Sequence, residues 1–101
     1  MQIEILHIDA CPNWVEAGRR VEAALVGMGR GDDAVSYRLL TTSAEAAKVP
    51  FAGSPTILVD GADAFPAERT ADLACRVYRT DTGFAGVPSD AQIREALRRH
   101  R

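Results

Sequence analysis

The sequence predicts an α/β fold: a central four-stranded mixed sheet flanked by helices, in the order β-α-β-α-β-β-α. Three observations carry that expectation. The stretch "QIEILHID", Gln2 to Asp9, is apolar on both faces, with Ile3 and Ile5 on one and Leu6 and Ile8 on the other, as in a strand buried between two layers. After Pro12 the hydrophobic period lengthens from two to three or four, placing Trp14, Gly18, Val21, Leu25 and Met28 on one stripe. Short apolar runs bounded by glycine, proline and aspartate then follow through the rest of the chain.

Each element has its own local reason. The first helix opens right after Cys11, where Pro12 suits the first turn, and "GMGRGDD" marks its stop. "AVSYRLL", Ala34 to Leu40, alternates Val35, Tyr37 and Leu39 against Ser36 and Arg38, a second strand. In "TTSAEAAK", Thr42 or Ser43 caps a short helix with Glu45 in its first turn. "FAGSPTILVDG" is a turn cluster leading into a third strand, Thr56 to Val59. The polar segment "ADAFPAERTADLA", interrupted by Pro66, reads as a long surface loop. "CRVYRT", Cys75 to Thr80, is expected as the fourth strand, and "DTGFAGVPS" as a turn. Ser89 then caps a final helix with Ile93, Ala96 and Leu97 on its apolar face.

Residues 1–101 are read as a single domain, large enough for one core and too small for two. With 47% hydrophobic and 26% charged residues the chain falls outside the compositional range of disorder. The net charge is −2 and the arginines are scattered, so no nucleic-acid footprint is visible. The one basic cluster, "REALRRHR", complements the negative end of a helix. No basic leader or long apolar run is present, and the expectation is a cytoplasmic protein without membrane association. In that compartment two cysteines are expected as free thiols.

The element order, a cysteine at the start of the first long helix and a proline opening the third strand together resemble the thioredoxin-like superfamily, over nearly the whole chain. "FAGSPTILVDG" is similar to the loop in which a cis-proline, here Pro55, lies against the active cysteine, and "GVPSDAQIREAL" to the closing turn and helix. "CPNW" and "CRVYRT" resemble small bacterial thioredoxin-like proteins, some of them labelled as related to alkylmercury lyase. The resemblance implies that Cys11 is the reactive thiol and that Pro55 is cis. It also implies that Ser54 is free to pair its backbone with an extended thiol substrate, beside Pro12, Trp14 and Pro55. One departure is plain: the resolving cysteine two residues beyond the first is absent, and Trp14 stands there.

The residues can also be weighed singly. Cys11, at or just before a helix N-terminus, lies where unpaired N–H groups favour a thiolate, with Asp9 opposing. The bland reading is a small apolar residue filling a strand–helix joint. Trp14 is either core or a wall beside the thiol. Cys75 is the possible second thiol. An antiparallel fourth strand starting there would put it about 13 Å from the level of Cys11. A disulfide needs Cα atoms within about 7 Å, which argues against an internal bridge. His7, inside the first strand, is expected to be a satisfied structural histidine, and His100 to be solvated. Neither has a zinc-ligand spacing to the cysteines, so no metal and no cofactor are expected.

Three functions follow. The first is a monothiol redox or thiol-transfer protein, in which Cys11 forms a mixed disulfide with a low-molecular-weight thiol or a protein thiol. The second is a non-catalytic binding or scaffold domain of the same fold. The third is capture of a soft metal such as mercury by Cys11 and Cys75. Substrate, turnover and oligomeric state are left open by the sequence.

Overall fold

The doubly apolar stretch at the N-terminus becomes the middle of the sheet. In a computed structural model that describes residues 1–100, Arg101 of the basic C-terminal cluster lying outside them, β1 (Ile3–His7) sits between β2 (Val35–Leu39) and β3 (Thr56–Val59). β1 pairs parallel with β2, Ile3 opposite Val35 and His7 opposite Leu39. It pairs antiparallel with β3, Ile3 opposite Val59 and Leu6 opposite Thr56. A two-residue strand, β4 (Ala62–Asp63), completes the mixed sheet in the order β2-β1-β3-β4.

Alternation along β1 divides the interior into two layers. Ile3 and Ile5, with Ile57 and Val59, face α1 (Asn13–Gly27) and α3 (Asp90–Arg99), which bring Val21, Leu25, Ile93 and Leu97. Leu6, Ile8 and Leu58 face the other way, onto Leu40, Phe51, Cys11 and Ala46 of α2 (Ser43–Ala47). Each fully buried side chain of this size contributes about 1.5–3 kcal/mol, so the two clusters hold the strand from both sides. A one-residue slip of β1 would exchange the two sets, which makes the register stringent.

The helix ends are set by local chemistry. Thr42 and Ser89 each form a reciprocal capping box, with Glu45 and Gln92 respectively. At the other end of α1, the Gly29 N–H bonds the Val26 carbonyl and the Arg30 N–H bonds the Leu25 carbonyl at 2.7 Å, with Gly29 at φ +74°. That arrangement needs a left-handed residue, and glycine adopts it without strain.

The order of elements departs from expectation after β3. Asp60 (φ +50°) and Gly61 (φ +86°) form a tight turn that sends the chain straight back as β4 along the free edge of β3. Cys75–Thr80 was expected there and is displaced. Its last residues, β5 (Tyr78–Thr80), pair instead with β6 (Gly83–Ala85) in a separate two-stranded ribbon. The described residues thus form three helices and six strands, and no helix among them is long and apolar enough to cross a membrane.

The Ser89 cap offers a direct check on the closing helix. Ser89→Ala is expected to lower stability by about 1 kcal/mol, since the Gln92 N–H loses its acceptor. Urea unfolding should show a lower midpoint with an unchanged slope.

Candidate functional site

Cys11 is the residue before Pro12, which is itself the N-cap of α1, so the thiol lies one position outside the helix. It is completely buried in the smaller hydrophobic cluster. Its Sγ donates to the Ser54 carbonyl oxygen at 3.5 Å. Ser54 precedes β3, and the Ser54–Pro55 peptide bond is cis. The Ser54 hydroxyl accepts the Ile8 N–H at 3.2 Å, tying the approach to β3 to the end of β1.

Ser54's backbone groups are also occupied, by the chain itself. Its N–H donates to the Ala74 carbonyl at 2.9 Å, and its carbonyl accepts the Arg76 N–H at 2.8 Å. These two bonds make Cys75 the parallel pairing partner of Ser54. The expectation that Ser54 is free to pair with an extended substrate is therefore corrected: residues 74–76 take that place.

The expectation that Cys75 lies about 13 Å from the level of Cys11 is overturned with it. That estimate assumed an antiparallel return along β3, and β4 has taken that edge. Cys75 instead crosses the start of β3 beside the thiol. Its pKa is pushed up, first by a hydrogen bond to Cys11 and then by partial loss of hydration and by the charge Cys11 would carry. The two thiols are direct neighbours with opposite exposure. Cys11 is buried and Cys75 is exposed, and both are free.

Side chains from three places hold this segment down. Arg76 is buried and pairs with Asp63 of β4 at 3.0 Å, while its other guanidinium nitrogen donates to the Phe65 carbonyl. The guanidinium also lies over the Tyr78 ring, 4.4 Å from its centroid. Removing one partner of a buried ion pair typically costs about 3–5 kcal/mol, because the other charge is stranded. The Tyr78 hydroxyl donates to the Pro55 carbonyl, and burial pushes its pKa strongly upward. Gly53 completes the fit: at φ +106°, a Cβ there would come within 2.8 Å of the Arg76 Cβ.

Trp14 proves to be a packing residue. Its ring stacks on His7 at 4.3 Å and meets Tyr37 edge-on at 5.5 Å, on the α1 side of the sheet, whereas Cys11 belongs to the opposite cluster. The tryptophan at the position of the missing resolving cysteine thus covers β1. His7 is buried, but its Nδ1 has no hydrogen-bond partner, so it is not the satisfied histidine expected. Burial pushes its pKa down, which the nearby Asp9 partly offsets. Pro12 is exposed, and Pro55 is buried beneath the 74–76 segment that Ser54 binds.

A cleft of about 210 Å³ flanks both cysteine-bearing segments, lined by Ile8, Asp9, Ala10, Leu40, Thr41 and Leu73. No group of three or more His, Cys, Asp or Glu side chains among the described residues could hold a metal ion. Gly53, Asp63, Arg76 and Tyr78 were not singled out from the sequence as site residues. The one signal that points toward them is the Asp60–Gly61 pair between apolar runs, a hairpin signature that places Asp63. Comparison with known proteins finds no matching family model, no similar curated protein and no similar solved structure.

Two outcomes are expected from this geometry. Gly53→Ala should destabilise the fold by about 1–3 kcal/mol in urea unfolding, because a side chain is forced into a left-handed, crowded position. Cys11→Ala should shift the pH midpoint of Cys75 alkylation downward, since the bond that raises the Cys75 pKa is removed.

Proposed function

We propose that this chain is a thioredoxin-like thiol–disulfide exchange protein in which Cys11 and Cys75 cycle between two thiols and one internal disulfide. One observation carries the reading. The backbone bonds of Ala74 and Arg76 to Ser54 hold Cys75 across the same carbonyl that the Cys11 thiol contacts. A mixed disulfide on either sulfur then has a second thiol at hand, the requirement that Trp14 leaves unmet within the first helical turn. The strand order, with β1 central and the cis-proline opening β3, agrees with what the thioredoxin-like resemblance implies.

This reading replaces the one-cysteine cycle suggested by "CPNW" alone. In a monothiol protein the mixed disulfide waits for an external thiol, whereas here Cys75 competes with it at intramolecular concentration. A second reading, a binding domain without turnover, draws support from the complete burial of Cys11. A thiol pair is also the donor set that soft ions such as mercury select. Two thiols that meet at the same residue, Ser54, fit the exchange reading most directly, because disulfide formation needs no further ligand.

The test is a redox titration of the reduced chain in a thiol–disulfide buffer, followed by peptide mapping. A reversible Cys11–Cys75 disulfide is expected in the wild type, and its loss in both Cys11→Ser and Cys75→Ser. Persistence of two free thiols across the whole buffer range would leave the binding-domain reading in its place.

A further inference from the structure

Resting on the exchange reading above, we infer that the substrate is a low-molecular-weight disulfide, that it reacts at Cys75, and that the buried Cys11 is the thiol that resolves the adduct. The usual expectation for a cysteine before a helix is the reverse: attack by that cysteine and resolution by another.

Accessibility sets the order. Cys11 has no exposed surface and Cys75 is exposed, so an incoming sulfur reaches Cys75 first. Exchange needs the attacked and attacking sulfurs to come into line, which a covered thiol does not allow from outside. Cys11 is turned to the Ser54 carbonyl, and Ser54 is the residue that pairs with Cys75. It therefore meets a disulfide only once that disulfide has been built on Cys75.

Backbone occupancy sets the substrate class. A protein disulfide bound as an added strand draws its affinity from main-chain hydrogen bonds. At Ser54 both main-chain groups are already used by Ala74 and Arg76. Arg76 is in turn held by Asp63 and Phe65, so the occupying segment is anchored in the fold. A small disulfide needs no such bonds. The cleft of about 210 Å³ that reaches Leu73, two residues before Cys75, is lined by neither cysteine and lies below the roughly 300–1,000 Å³ typical of drug-sized ligand pockets.

The steps balance. The Cys75 thiolate attacks one sulfur of R–S–S–R, forming Cys75–S–S–R and releasing one RS⁻, which takes up a proton. Cys11 then loses its proton to solvent and its thiolate attacks the Cys75 sulfur. The Cys11–Cys75 bond forms, the Cys75–SR bond breaks, and a second RS⁻ leaves and is protonated. Two electrons pass from the protein dithiol to the small disulfide, and the reverse sequence oxidises two small thiols. The thiolate is the attacking form, and the proximity of Cys11 holds the Cys75 pKa above its ordinary value, so the first step accelerates as pH rises.

The experiment is a time course with cystamine, quenched in acid and read by intact mass, on the wild type, Cys11→Ser and Cys75→Ser, each checked for folding by circular dichroism. The wild type should pass to the internal disulfide with two cysteamines released. Cys11→Ser should stop at a stable cysteamine adduct on Cys75. Cys75→Ser should react at least about tenfold more slowly than Cys11→Ser, because a buried thiol reacts only through local opening. Unfolding in guanidinium should abolish that difference. An adduct forming as fast on Cys11 in Cys75→Ser would reverse the order while leaving thiol exchange intact. A Cys75 adduct that persists in the wild type without closing to the disulfide would overturn the exchange reading as well. An extended peptide disulfide reacting faster than cystamine would overturn the small-substrate assignment.

Discussion

One carbonyl, that of Ser54, is the meeting point on which the rest of the site depends. It accepts the Cys11 thiol from the end of the β1–α1 connection and the Arg76 N–H from the segment crossing above. The residue that carries it is fixed on its other groups by Ile8 and Ala74. A buried peptide carbonyl left without donors is costly, so these contacts are mutually reinforcing. Through them, two cysteines 64 positions apart in the chain become neighbours.

The site's rigidity traces to a short element. β4 is only two residues long, yet it carries Asp63, and Asp63 supplies the counter-charge without which Arg76 would be an unpaired buried cation. Arg76 fixes the segment that carries Cys75, Tyr78 ties the same segment to Pro55, and Gly53 leaves the space for both backbones to approach. The tight Asp60–Gly61 turn therefore bears on the thiol pair although neither residue touches it.

The two free thiols differ in exposure, Cys11 being buried and Cys75 exposed. A covered cysteine is protected from outside reagents and oxidation, while an exposed one is open to them. Cys11 is packed with Ile8, Leu40 and Phe51 in the smaller core, while Cys75 stands at the surface. The opposite core carries the aromatic group of Trp14, His7 and Tyr37, which bears on stability through stacking and burial.

Much of the architecture was legible in the sequence because it rests on local rules. The double-sided burial of β1 follows from adjacent apolar residues at period two, and α1 and α3 follow from their stripes and stops. Thr42 and Ser89 could be named as caps because capping is decided within four residues. Cys11, Ser54 and Pro55 could be brought together on the element order and the resemblance. The position of Cys75 could not, because it depends on which segment wins the free edge of β3. That contest was settled by a tight turn and a buried ion pair between Asp63 and Arg76, thirteen residues apart. Periodicity reports which face of a strand is buried; it carries no record of long-range pairing. The sequence by itself thus determined the layers and the first thiol, and only the tertiary structure decided that the second thiol lies against it.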